Sequence, residues 1–416
     1  MSDSRGTSAG ADTATEGGGP DGTLWSRWVD EACDRVEAAG RWRAPRSFDA
    51  RGHDGVLGVG GSAGSRPVVS FASNDYLGLT THPGVVAAAH GALDRWGAGS
   101  GASRLVTGSR PVHHELEAAL AAWKGAEAAV VLPTGFAANL SVLSVFGSGG
   151  VVVHSDELNH ASIIDGCRLA RADVRIVPHL DLDALDASLA SVPGRSLVVS
   201  DTVFSMDGDA ADLGALRDVT ARHGALLVLD EAHAVLGPDL DAAAGADVLR
   251  VGTLSKTLGA LGGFVAGPAR FIELLVNRSR PYIFTTAPTP ADSAAALAAV
   301  GVVRSAEGDA LRATLRRHVD RVAGATGLEG HGSPIVPVVI GAEDDAVAAS
   351  AALLDRGLWV PAIRPPTVAP GTSRLRVTLS ATHTDDQVDR LVTALGDLGL
   401  VGPDVAAGDR EVGSAA

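Results

Sequence analysis

The sequence predicts an α/β fold built on a mostly parallel sheet, and three observations lead to it. From about residue 111 to 267, short β-rich apolar runs alternate with helix-length stretches, the rhythm of strands joined by helical crossovers. Polar residues such as Asp230 and Thr253 close several of these runs, where open α/β sheets bind their ligands. Beyond residue 288 strands become fewer and helices longer, which marks a smaller α+β region. A chain of 416 residues that is 46% hydrophobic can bury such a core and divide it in two.

Taken in order, residues 1–22 offer little that could pack and read as a disordered tail. Residues 23–75 form an N-terminal arm and a segment of the small domain. In it Trp25, Trp28, Val29, Ala32, Cys33 and Val36 mark an amphipathic helix over 25–39 that lies on another surface. The glycine-rich stretch 52–65 reads as a loop or irregular hairpin before a short strand at 68–71. The large domain spans 76–287. Helices are expected at 112–124, 136–146, 160–170, 181–191 and 212–223, and strands at 128–132, 150–154, 173–177, 196–200, 225–229 and 248–252. A further apolar strand after Gly262-Gly263 makes the sheet seven-stranded. The small domain, 288–402, opens with two alanine-rich helices over 289–306 and 309–325. Strands at 335–340, 358–361 and 374–379 and helices at 344–356 and 384–399 complete it. Residues 403–416 read as a second disordered tail.

Composition narrows the function. A formal net charge of −15 argues against duplex nucleic acid or an anionic membrane as main partner. No apolar run is long enough to span a bilayer, and the N-terminus shows no leader pattern, so a cytoplasmic protein is expected. Cys33 and Cys167 lack the spacing of a metal site or disulfide framework. The histidines form no HExxH or similar cluster, which argues against a catalytic metal.

Only two of the 34 basic residues are lysines, Lys124 and Lys256. Arginine stays protonated near neutral pH, whereas a lysine amine with a depressed pKa can act as a nucleophile or Schiff-base partner. Lys256 sits in the turn of VGTLSKTLGALGG, among neutral Thr253 and Ser255, whose hydroxyls can hold phosphate oxygens. Upstream, LVLDEAH ends an apolar run with Asp230, a carboxylate needing a cationic or protonated partner, and His233. DEAH also occurs in helicases, but the phosphate loop they require is absent. LPTGFAAN places Gly135 and Phe136 at a helix N-terminus, where backbone N–H groups can receive a phosphate. His160 in NHAS could stack on a planar group. Ser205 in SDTVFSMDGD could bond a cofactor oxygen or steady His233. In RLRV, Arg374 and Arg376 share one face of a strand, and the bidentate guanidinium suits a carboxylate. The stiff Arg364-Pro-Pro-Thr367 turn could line a substrate channel.

Together SNDYLGL, ASRLVTG, LPTGFAAN, NHAS, VFSMDGD, DEAH, TLSKTLG, IRPPTV and GTSRLRVTLSATHT resemble the α-oxoamine synthases, fold-type-I enzymes that use pyridoxal 5'-phosphate (PLP). The resemblance runs from about residue 25 to 400. It implies a PLP-dependent acyltransferase that joins an amino acid to an acyl thioester with loss of CO2. IRPPTV with GTSRLR points to the branch that condenses L-alanine with pimeloyl-CoA or pimeloyl-acyl carrier protein in biotin biosynthesis. Related chemistry with glycine or serine and another acyl chain is the alternative, and a non-catalytic PLP-fold scaffold is a reading of another class.

Carried residue by residue, the resemblance makes Lys256 the Schiff-base lysine and Asp230 the partner of the pyridine nitrogen. His160 stacks on the ring, Ser205 and His233 contact its phenolic oxygen, and Thr253, Ser255, Gly135 and Phe136 hold phosphate. Thr285 or Thr286 and Asn74 would reach the site of a neighbouring subunit, so a homodimer with composite active sites is implied. Arg376 and Arg374 would bind the amino-acid carboxylate, and Arg43, Arg364 and Thr367 would contact substrate. Two departures stand out. The segment AVLGPDLDAAAGADV is shorter than the family's and lacks its GRG-like turn, and Ala369-Pro370 follows IRPPTV where the family more often has proline first.

Overall fold

A computed structural model describes residues 23–59, 63–237, 239–240 and 247–401; both expected tails lie outside them, as does part of the shortened segment. The chain divides into two compact units, Met1–Ser47 with Gly58–Gly64, and Phe48–Leu57 with Ser65–Ala416. In the first, Leu24–Ala38 forms the expected amphipathic helix. Thr23 caps it by accepting from the Ser26 N–H at 3.2 Å, and Trp25 meets Trp28 edge-on at 5.6 Å. None of its residues is buried.

The second unit holds most of the strands. Its strands, with those that bridge from the arm, are β1 (Ser47–Ala50), β2 (Asp54–Val59), β3 (Ala63–Ser70), β4 (Ala128–Leu132), β5 (Val152–Asp156), β6 (Asp173–Val177) and β7 (Ser196–Asp201). β8 (Leu226–Asp230), β9 (Val248–Thr253), β10 (Gly263–Gly267), β11 (Ile335–Gly341), β12 (Leu358–Trp359), β13 (Ala362–Ile363) and β14 (Ser373–Thr378) follow. The large sheet runs β4-β10-β9-β8-β7-β5-β6, seven strands as expected. β9, β8, β7, β5 and β6 are mutually parallel, and β10 is antiparallel to both its neighbours. Every residue of β7 and β10 is buried, which accounts for their unbroken apolar stretches, since helices cover both faces. The C-terminal part carries the antiparallel sheet β11-β14-β13, and β1-β2-β3-β12 form a third sheet, β12 joining parallel to β3. Of the two readings of the glycine-rich stretch 52–65, the hairpin is the one found: it contributes to two paired strands, β2 and β3.

Three α-helices escaped the sequence reading: Pro83–Trp96, Ala269–Arg278 and the short Arg280–Ile283. The first begins with proline at its first turn under a His82 cap. The helix Pro290–Val303 packs across Pro83–Trp96 and Pro111–Lys124. It joins the covering of the large sheet although it follows residue 288, and the border drawn there remains a proposal. Among the described residues no helix is long and apolar enough to cross a membrane, and no group of His, Cys, Asp and Glu could hold a metal ion.

Three rings meet at His383, which stacks on Phe71 at 4.4 Å and lies tilted against His53 at 4.3 Å. His383 Nε2 donates to the Ser70 carbonyl at 3.0 Å, and Nδ1 accepts from the Ser380 N–H at 3.1 Å. Both nitrogens are thus committed in the neutral tautomer, and a second proton would face an N–H. Burial accordingly pulls His383 down to about 3, helped by the nearby His53 and His318, and burial also lowers His53. Depressed in the folded state, these groups favour folding fully above about pH 6.5, and the contribution of His383 is lost as pH falls toward 3, with a slope of about 1.4 kcal/mol per pH unit in that window. His53 acts in the same direction. Denaturant titrations across pH 3–7 should show this acid limb, and His383→Gln should make it shallower even though the variant is less stable at neutrality.

Candidate active site

The carboxyl ends of four neighbouring parallel strands converge on one place. β5 ends in Asp156, β7 in Asp201, β8 in Asp230 and β9 in Thr253. Asp230 is only 5% exposed, so its charge depends on donors. Oδ1 accepts from the Ala232 N–H at 2.9 Å, and Oδ2 accepts from Asn139 Nδ2 at 2.6 Å. Asn139 lies one turn into the helix Gly135–Phe146 and also donates to Ser162 Oγ at 2.9 Å. Ser162 in turn bonds His160 Nδ1 at 2.7 Å, and the His160 N–H is held by Asp201 Oδ2 at 2.8 Å. Asp201 is wholly buried, and that burial, reinforced by the charge of Asp230, raises its pKa well above the carboxylate range.

Lys256 occupies the turn between β9 and β10. The turn is closed by Leu254 N–H to the Gly262 carbonyl, Ala260 N–H to that of Leu254 and Gly259 N–H to that of Lys256. Its Nζ lies 2.8 Å from His233 Nε2. Burial brings the amine down to about 8, opposed by the attraction of Asp230 and Asp201 and aided by the repulsion of Arg376. His233 is buried and held neutral, its pKa well below the usual value through burial and then Lys256. The other lysine serves the same motif: Lys124 pairs with Glu231 at 2.7 Å, and Arg250 reaches Glu231 at 3.2 Å. Asp230, Glu231 and His233 of DEAH therefore each have their own partners.

At the end of β9, Thr253 Oγ1 meets Ser255 Oγ at 2.7 Å and donates to the Gly262 carbonyl at 3.1 Å. Gly135 opens the facing helix under a Thr134 cap, and a Cβ built on it would lie 3.0 Å from that of Thr253. Glycine here keeps the gap between this helix N-terminus and the two hydroxyls uncrowded.

Strand β14 supplies both arginines to the loop 201–209. Arg376, 7% exposed, donates from Nε to the Ser205 carbonyl at 2.6 Å, and from Nη1 and Nη2 to Asn74 Oδ1 at 3.3 Å each. Arg374 pairs with Asp207. The same loop is fastened from the sheet edge, where His179 bridges Asp156 at 2.9 Å and Asp209 at 2.6 Å. Those two carboxylates outweigh burial and lift His179 to about 9. The next residue, Leu180, has φ 57, a left-handed conformation costing about 1–2 kcal/mol for a side-chain-bearing residue. Its N–H to Asp156 Oδ2 at 2.9 Å helps offset this.

Of the sequence-derived residues, Lys256, Asp230, His160, His233, Thr253, Ser255, Gly135, Asn74, Ser205 and Arg376 fall into this connected group. Phe136, half-exposed, follows Gly135, and Arg374 touches the group through Asp207. Ser205 does not steady His233 among the described residues; Tyr76 and Lys256 take the ring nitrogens, and Ser205 enters through its carbonyl. Thr285 and Thr286 have no described hydrogen bond to the group within one chain. Thr367 is exposed beside half-buried Arg364, whose carbonyl accepts its N–H at 3.0 Å, and Arg43 is exposed on the first unit. Sequence reasoning missed Tyr76, Asn139 and Ser162 as site members. Asn139 carried a signal, standing four residues after Gly135 on the same helix face.

The donor set fits PLP. A buried carboxylate can hold a protonated ring nitrogen, an amine of lowered pKa can hold an aldehyde, and a glycine-gated helix N-terminus with two hydroxyls can hold a phosphate. The buried Asn139 Oδ1, without a hydrogen-bond partner, leaves an acceptor beside Asp230.

The family described as aminotransferase class I and II matches residues 66–395. The 8-amino-7-oxononanoate synthase of Anaeromyxobacter dehalogenans is 47% identical over 402 residues, covering 90% of this chain and 97% of the relative. Among solved structures, Sphingomonas wittichii serine palmitoyltransferase matches with a TM-score of 0.82 at 31% identity, covering 92% of this chain and all of the other. A structure described as SPT with PLP internal aldimine gives 0.83 at 30% identity, covering 91% and 100%. The chain belongs to the aminotransferase class I and II family and, within it, is a fold-type-I PLP-dependent acyltransferase of the α-oxoamine synthase group.

Proposed function

We propose that the protein joins a small amino acid to an acyl thioester, releasing CO2 and the free thiol and leaving an α-aminoketone. The reading rests above all on the Lys256 amine, held by buried His233 next to the buried carboxylate of Asp230. PLP, when bound, supplies the electron sink that lets the amino acid's α-carbon act as a nucleophile. Lys256 holds the cofactor, yields it to the amino acid and takes the α-proton; with the amine near 8, loss and gain of a proton are closely balanced at physiological pH. Asp230 keeps the ring nitrogen protonated, and His160 covers the ring face. His233 and Ser205 meet the phenolic oxygen, and Thr253, Ser255, Gly135 and Phe136 hold the phosphate. Arg376 receives the amino-acid carboxylate, with Arg374 fixing the loop beneath it. Arg43, Arg364 and Thr367 meet the acyl substrate. Asn74 meets Arg376 within its own chain rather than in a partner's site, and Thr285 or Thr286 serves the site of a second subunit in a cytoplasmic homodimer.

Two substrate pairs refine this. The name of the 47% identical relative favours L-alanine with a pimeloyl thioester, giving 8-amino-7-oxononanoate. The name of the structural neighbour favours L-serine with a longer acyl thioester. Alanine, glycine and serine, each assayed against pimeloyl-CoA, pimeloyl-acyl carrier protein, succinyl-CoA and palmitoyl-CoA, decide between them. Turnover confined to alanine and a pimeloyl thioester establishes the first, and preference for serine with palmitoyl-CoA establishes the second.

Capture of PLP by cofactor-free protein, followed by visible absorbance, should speed up as pH rises to about 8 and level off above it. Lys256→Ala should show no such band and lose at least about a thousandfold in kcat.

His179→Gln should raise KM for the amino acid several-fold, roughly five to tenfold, with little change in kcat, because it frees one anchor of the loop under Arg376. His179 is raised in the folded state, so the anchor is intact below about pH 6.5 and weakens as pH climbs through about 9. Steady-state KM in the wild type should rise across that window, and the rise should be absent from the variant.

A further inference from the structure

The contacts of Asn74, Tyr76 and His233 form one line of polar contacts from Arg376 to Lys256, and counting donors along it gives the line a direction. Asn74 Oδ1 has two lone pairs, and both Nη groups of Arg376 point at it from 3.3 Å. The Tyr76 hydroxyl has one proton and two acceptors in reach, Asn74 Oδ1 at 3.1 Å and His233 Nδ1 at 2.5 Å. With the amide oxygen already served, that proton goes to the nearer nitrogen. Tyr76 has no exposed surface, and its burial raises the phenol pKa, so it remains a neutral donor. His233 is neutral as well, which leaves its own proton on Nε2, 2.8 Å from the Lys256 amine. A neutral amine or a cofactor oxygen facing Nε2 therefore meets a donor, whereas a protonated amine finds no acceptor there.

We propose that Tyr76 is a positioning residue that fixes the proton of His233 on Nε2, and that Asn74 ties this choice to the occupancy of Arg376. The inference rests on the reading of Arg376 as a carboxylate site and of Lys256 as the reactive amine. A carboxylate that takes the Nη donors of Arg376 releases a lone pair on Asn74 Oδ1. The Tyr76 proton can then turn to it, and His233 Nδ1 loses its donor. The ring can then take its other tautomer, its single proton moving from Nε2 to Nδ1, where the Tyr76 oxygen accepts it; Nε2 is left as an acceptor, and a protonated amine at Lys256 gains a partner. Substrate binding and proton affinity at the lysine become linked through three side chains. The other groups facing that amine, Asp230, Asp201, His160 and Arg376 itself, act on it by charge and do not depend on Tyr76.

The test uses full-length holoenzyme labelled with 15N-histidine, the His233 signals being assigned by their loss in His233→Gln. Wild type should show a protonated Nε2 and an acceptor-type Nδ1, and acetate, as a probe for Arg376, should shift both. Tyr76→Phe should abolish the fixed pattern and the acetate response. It should also move the pH midpoint of the visible band by about one unit and lower kcat about tenfold, with KM for the amino acid within twofold. Protonated Nδ1 in the wild type, or His233 signals and a midpoint unchanged in a Tyr76→Phe protein of native thermal stability, overturns the proposal. Acetate that leaves the wild-type signals in place overturns the coupling to Arg376. A protein without a visible band defeats the proposed function instead, and the nitrogen pattern still decides the tautomer.

Discussion

The arrangement depends on keeping a carboxylate charged at the end of a buried strand. Asp230 has almost no contact with solvent, and an unsatisfied polar group there costs about 1–3 kcal/mol, more when charged. Its needs are met by the Ala232 N–H and by Asn139, and Asn139 has to stand on a helix brought close across the sheet. That proximity is possible because Gly135 carries no side chain where the helix begins. One acid therefore constrains a neighbouring helix, a glycine and, through Ser162, the orientation of His160.

A second layer of constraint fixes the loop that follows β7. Arg374 and Arg376 hold it from the C-terminal sheet, and His179 with Asp156 holds it from the large sheet. These bonds join segments far apart in sequence, so the loop is positioned by the tertiary fold rather than by its own turn chemistry. The strained backbone at Leu180 belongs to the same fastening, since its N–H shares the carboxylate that holds His179.

Much of this was legible in the sequence. Buried parallel strands leave unbroken apolar stretches with polar residues at their carboxyl ends, so β5, β7, β8 and β9 and the groups Asp230 and Thr253 could be read locally. Scarcity of lysine singled out Lys256. Partners supplied from a distance were not legible: Tyr76 meets His233 across 157 positions and Asn139 meets Asp230 across 91, and no local periodicity encodes either contact. The helix Pro83–Trp96 was missed although a proline opens it, because its alanines, glycines and valines give a weak apolar stripe. The paired strands around residue 60 could be read only as a hairpin or a loop, because glycines dilute the alternation that marks a strand.

The turn that carries Lys256 is pinned at both roots. Thr253 pairs with Gly263 in the antiparallel ladder between β9 and β10, and three backbone hydrogen bonds close the loop within. Moving this turn as a body would mean unzipping two fully interior strands. The reach of the amine is therefore set by rotation about the four methylenes of its own side chain, a sphere of a few ångströms with a fixed centre, and substrates have to be delivered to the lysine because the backbone does not carry it to them.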